Sequence, residues 1–174
     1  MKRSLFEISA FVFLTCLFCK DKIDVAKGEE AVLKVLQEEG DAFAKNDLNR
    51  LSAIYIQDST ETRVSLGATY CNLYKGWDKI EELYENYIKV NSTDSSWKNP
   101  RNYKENIIMK VAENSAWLLC DNIWEFEFKN DAGNNVAGKQ ANMQIAFFEK
   151  INGKWKISFN AFIQKPVPKA KVTE

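Results

Sequence analysis

The order of hydrophobic patterns along this chain predicts an α+β fold, three helices followed by a long antiparallel meander, with the helices covering one sheet face. Three observations predict it. Apolar residues recur at helical spacing in three early segments, and from about residue 103 the period changes to two. Finally, Asn152-Gly153 joins the last two alternating runs, a dipeptide suited to a tight hairpin because both turn positions favour positive φ.

The first helix is expected from about Gly28 to Lys45, with Val32, Val35, Leu36 and Phe43 on one face. Asn46-Asp47 breaks it and caps a second helix marked by Leu48, Leu51, Ile54 and Tyr55. Thr60 to Tyr74, rich in Thr, Val and Tyr with Gly67 at a turn, reads as strand, turn, strand. Gly76 ends that hairpin, and Ile80, Leu83, Tyr84 and Tyr87 mark a third helix starting at Trp77. Asn91 to Arg101 reads as a solvated loop.

Tyr103 to Val111 then alternates, Asn114-Ser115 turns, and Ala116 to Lys129 alternates again with Leu118, Cys120, Trp124, Phe126 and Phe128 on one face. After a turn over Asn130 to Asn135, Gln140 to Lys150 pairs with Lys154 to Ile163. A two-residue turn sets Lys150 opposite Trp155, Phe148 opposite Ile157 and Ala146 opposite Phe159. One face then reads Asn142, Gln144, Ala146, Phe148, Trp155, Ile157, Phe159, Ala161, Ile163.

A chain of 174 residues suits one domain. Lys and Arg together equal Asp and Glu, with no basic stripe and no Gly-rich phosphate loop, so nucleic acid is not an expected partner. Histidine is absent, which removes the commonest general base near neutral pH.

The N-terminus reads as an export signal. Met1-Lys2-Arg3 gives a positive start, and Ile8 to Phe18 is an apolar run too short to span a bilayer before charge resumes at Lys20-Asp21-Lys22. This segment resembles a bacterial lipoprotein signal, which implies Cys19 as the lipidated first mature residue. Cys16 as the anchor, or plain signal cleavage, stays open. The expected organisation is residues 1–19 as signal, 20–28 as tether, 29–165 as the domain and 166–174 as a frayed tail. The expected location is the bacterial cell envelope, lipid-anchored or otherwise periplasmic or secreted, with membrane contact only through the anchor.

Cys71 and Cys120 remain in the mature chain. A bridge would close a loop of about fifty residues, worth roughly 4 kcal/mol in the chain-entropy model, but two buried free thiols fit the sequence at least as well. No metal site is expected, since neither cysteine has a second cysteine pair or a histidine nearby. No cofactor is expected either.

The segments AFAKNDLNRLSAIYIQD, YKGWDKIEELY and NGKWKISFNAF resemble, in order, the helix pair, the Gly-then-helix segment and the closing hairpin of SnoaL-like domains. Those domains belong to the nuclear transport factor two-like superfamily, and the resemblance covers residues 29 to 164 or so. It implies a cystatin-like cone, a curved antiparallel sheet wrapped around the long first helix, with a pocket at the open end. Family enzymes place an Asp, Tyr or His inside an apolar cone, where desolvation shifts acidity. The closing strand often carries a His near its end; this chain has Asn160 and Phe162 there, so no catalytic residue carries over.

The residues themselves offer pocket candidates: Asn122, Asn142 and Gln144 as amides interrupting apolar stripes, with Trp124, Tyr55 and Phe159 around them. A closed structural network of the same amides is the competing reading. Asp58 reads as a turn acid, and Asp121, Glu125 and Glu127 as solvent-facing. Tyr70 and Tyr74 could present hydroxyls but fit core packing better. The expected function is binding of a small apolar molecule or a partner in the cone without catalysis. The alternative is an isomerase, lyase or cyclase of the ketosteroid-isomerase kind, with Asp58 or Asp121 as base. A homodimer through the convex sheet face is a further expectation, with Leu119 and Ile123 as its interface residues.

Overall fold

The computed structural model describes residues 24–93, 98–130 and 132–165. The export segment with Cys19, the first part of the tether, Trp97 and the tail from 166 lie outside the described residues. Helix α1 spans Val25–Ala44, starting three residues before the expected Gly28 because the Asp24 side chain caps it by accepting from the Lys27 backbone N–H at 3.1 Å. Asn46, at φ 55°, turns the chain, and Asp47 caps α2 (Leu48–Ile54). Strands β1 (Thr62–Leu66) and β2 (Cys71–Lys75) form the short hairpin around Gly67. Gly76 then releases the chain at φ 84° into α3 (Trp77–Thr93).

The meander consists of β3 (Lys98–Val111), β4 (Ser115–Lys129), β5 (Asn135–Ile151) and β6 (Lys154–Gln164). Strand β3 starts inside the expected Asn91–Arg101 loop, since Lys98 already pairs with Glu127. The sheet order is β2-β1-β6-β5-β4-β3, antiparallel except where β1 runs parallel to β6. Asn152 and Gly153 adopt φ 51° and 79°, the two positive values the hairpin dipeptide predicts.

The concave sheet face meets α1. Val32 and Leu36 pack on Leu118, Ala146, Phe148 and Ile157, all essentially inaccessible to solvent. Gly40 is a helical glycine with a steric reason: a methyl there would run into the Asn102 carboxamide, so its absence lets α1 sit close on β3. Cys71 and Cys120 are free thiols, one exposed at the sheet edge and one buried, and burial pushes the Cys120 thiol up to about 11.

One expected register fails. Lys150–Trp155 and Phe148–Ile157 pair as predicted, but a bulge follows and Ala146 pairs with Asn160. The extra residue at Ser158 reverses the alternation, so Asn160 and Phe162 turn to the concave face. Phe159 turns out instead, edge-on to Phe147 on the convex face. The pocket assignment of Phe159 is therefore corrected. Ile123 is also corrected as an interface residue: it is buried within the chain, whereas Leu119 is half-buried beside exposed Ile108, Trp117 and Phe147.

Candidate functional site

A cavity of about 430 Å³ opens between α1, α3 and the concave ends of β1, β3, β4, β5 and β6. Phe43, Trp124 and Phe162 give it aromatic walls, and Phe43 meets Trp124 edge-to-face at 5.5 Å between ring centroids. Its charged wall residues are Glu39, Arg63 and Lys104.

Glu39 is the carboxyl that sequence reasoning missed. It sits on α1 at helical spacing from Val32, Leu36 and Ala42, on the buried stripe rather than the polar face. That placement was a readable signal: a charge on an apolar stripe points to a partnered interior group. Its Oε1 accepts from the Tyr55 hydroxyl and from Asn160 Nδ2 (2.5 Å), and its Oε2 from Gln144 Nε2 (2.9 Å).

The donors order themselves into a chain. A carboxylate only accepts, so the Tyr55 hydrogen goes to Glu39. The 2.6 Å contact between the Tyr55 and Tyr84 hydroxyls then requires Tyr84 to donate, and Tyr84 in turn accepts from Arg63 Nη1 at 2.5 Å. A guanidinium at one end and a carboxylate at the other are thus connected through two phenols in one direction of donation. Arg63 also stacks between two rings, its Cζ 4.9 Å from the Tyr84 centroid and 4.5 Å from that of Phe162. Burial pushes both phenols up, Tyr55 especially, with Glu39 reinforcing and Arg63 opposing, so both keep their protons.

A second cluster lies on β3 and β4. Cross-strand pairing sets Lys104 of β3 against Asn122 of β4. Lys104 Nζ donates to Asn122 Oδ1 (2.5 Å) and Asn102 Oδ1 (2.8 Å), while Asn102 Nδ2 donates to Asn122 Oδ1 (2.7 Å). None of the ion pairs among the described residues includes Lys104. Burial holds its ammonium below the ordinary lysine value, with Glu39 opposing from a distance.

Of the predicted candidates, Asn122, Trp124 and Asn142 line the cavity. Gln144 and Tyr55 do not: both are fully buried behind Glu39 and hold it in place. Neither acid proposed as a base from the sequence is in the cavity. Asp58 is exposed and caps its own turn through Thr60, and Asp121 faces outward against Lys165 and Asn106. Among the described residues no cluster of His, Cys, Asp and Glu could hold a metal ion.

These features define an α+β cone with a mixed polar and aromatic cavity, and solved structures share it. An NTF2-like protein with a cystatin-like fold from Novosphingobium aromaticivorans is 12% identical, with a TM-score of 0.60 over 98% of this chain and 96% of that one. A protein from the same organism assigned provisionally as a scytalone dehydratase is 14% identical, with a TM-score of 0.61 over 79% of this chain and 84% of that one. Another NTF2-like protein, from Streptomyces avermitilis and provisionally called a dehydratase, is 10% identical, with a TM-score of 0.63 over 82% and 99%. The chain therefore has the NTF2-like, cystatin-like fold. No protein-family model and no curated protein sequence matches it.

Proposed function

We propose that this chain is an exported SnoaL-like protein that binds a small organic molecule in its cone without turning it over. The cavity carries the reading: aromatic walls supply contact area, and a few fixed polar groups supply orientation. Glu39 supports binding over chemistry, because its oxygens already accept from three donors and serve to hold the floor rigid. Native mass spectrometry of purified protein, before and after exposure to a library of small aromatic and aliphatic compounds, tests it. Recurrent adducts lost on blocking the cavity with Asn142→Trp are expected; no adduct with any compound would overturn the reading.

A dehydratase or isomerase reading has one observation in its favour. A carboxyl does stand inside the cone, although it is Glu39 and not Asp58 or Asp121. Conversion of any bound compound, followed by NMR and lost in Glu39→Gln, would establish it over simple binding.

Export with a lipid on Cys19 belongs to the same proposal. Cys19→Ala should release the protein from the membrane fraction. A homodimer through the convex face is supported by exposed Trp117 and Phe147 beside Phe159. Phe147→Asp should then halve the mass seen in light scattering.

A further inference from the structure

The two polar clusters around the cavity differ in charge balance. Arg63 and Glu39, of opposite charge, terminate one chain of hydrogen bonds through Tyr84 and Tyr55, although Arg63 Nε is left without a partner. Lys104 has no such counterpart. Its two hydrogen-bond partners are neutral amide oxygens, and an ammonium has three hydrogens to place. With Glu39, Arg63 and Lys104 as its charged wall residues, the cavity carries one cation in excess. An uncompensated cation in a desolvated site is unfavourable, and a ligand anion removes that cost while keeping its own body on apolar walls.

We propose that the cavity takes a monoanionic organic ligand, a carboxylate whose head group rests on Lys104 Nζ and whose hydrocarbon body lies against Phe43, Trp124 and Phe162. The proposal rests on the small-molecule reading above and adds the ligand's charge and the residue that reads it. The head group fits one place in particular. Asn122 and Asn102 fix the ammonium from the sheet side, leaving the third N–H for the cavity, which Lys104 lines. The Tyr84 hydroxyl cannot serve the anion, because its only hydrogen is committed to Tyr55. Burial depresses the Lys104 ammonium, so an anion bound there also restores its charged form.

The test uses alkanoates from hexanoate to dodecanoate and naphthoate, each beside its primary amide, titrated calorimetrically into the intact mature protein. A charge-assisted contact replacing a neutral one predicts at least about tenfold tighter binding of the carboxylate than of its amide. Lys104→Met should erase that ratio, with the carboxylate losing far more affinity than the amide. The unmodified protein gives an independent arm: raising the pH from neutral toward 10 should lower the carboxylate affinity as the ammonium is lost, with a much smaller change for the amide. That arm decides the matter if Lys104→Met does not fold. Equal binding of acid and amide, or a preference that survives Lys104→Met, would overturn the charge proposal and leave small-molecule binding standing. Binding of neither series would overturn both.

Discussion

The wall of the cavity built on α1 and the wall built on β3 and β4 solve the same problem differently. Around Glu39, both carboxylate oxygens meet donors supplied by Tyr55, Asn160 or Gln144, and the chain runs on to Arg63, while Gln144 Oε1 and Arg63 Nε are left without a partner. Around Lys104, two amides supply part of the coordination and the cavity is left to supply the rest. A carboxylate with both oxygens filled fixes the fold, since each donor lost strands a buried group. An ammonium with two acceptors for three hydrogens leaves free energy to be gained by a ligand. The comparison assigns stability to the first wall and recognition to the second.

Substitutions can break this division. Glu39→Leu should have the largest effect, roughly 3–5 kcal/mol by urea unfolding, because it strands the Tyr55, Asn160 and Gln144 donors and leaves Arg63 uncompensated. A loss below about 1 kcal/mol would show that the network is not what holds this wall.

Glu61 is the limiting case of a buried carboxyl without a partner, since neither of its oxygens meets a donor. Burial first, then Asp58 and Glu39, pushes it up to about 9. The folded state therefore holds a proton that the unfolded state has released above about 4.5. Stability should fall as pH rises from about 4.5 to about 9, by about 1 kcal/mol per pH unit within that window. Glu61→Gln should flatten the slope in melting temperature measured between pH 5 and pH 9; an unchanged slope would show that another group sets it.

Two neighbouring amides sharpen the comparison. Gln144→Leu should cost roughly 1–3 kcal/mol and leave ligand selectivity unchanged, because the side chain is fully buried and donates to Glu39 and Asn160. Asn142→Leu should cost less than about 1 kcal/mol yet alter which ligands raise the melting temperature, because that side chain lines the cavity. The two residues are separated by one position on β5, so thermal melts with and without ligand test whether the boundary between the walls lies there.

Much of this was legible in advance. The three helices, the Gly76 exit, the long meander and the Asn152-Gly153 turn follow from local spacing and from residues that tolerate positive φ, properties carried by short stretches of chain. The concave faces of β4 and β5 were equally readable, and with them Asn122, Trp124 and Asn142. On β6 the alternation failed at a single extra residue, which exchanged Phe159 for Asn160, and a bulge leaves little trace in a run where both neighbours are plausible strand residues.

Sequence alone thus determined the element order, the apolar stripes and the hairpin register as far as Ile157. Tertiary structure decided the chemistry. Glu39, Tyr55, Asn160 and Gln144 come from four separate elements or junctions, and only closure of the sheet on α1 brings their short-range bonds within reach. Lys104 faces the cavity because the register shift between Glu105 and Ile108 sets its pairing with Asn122. Hydrogen bonds act over about 3 Å, whereas periodicity specifies only a face, so the site was written in contacts that no stretch of sequence contains.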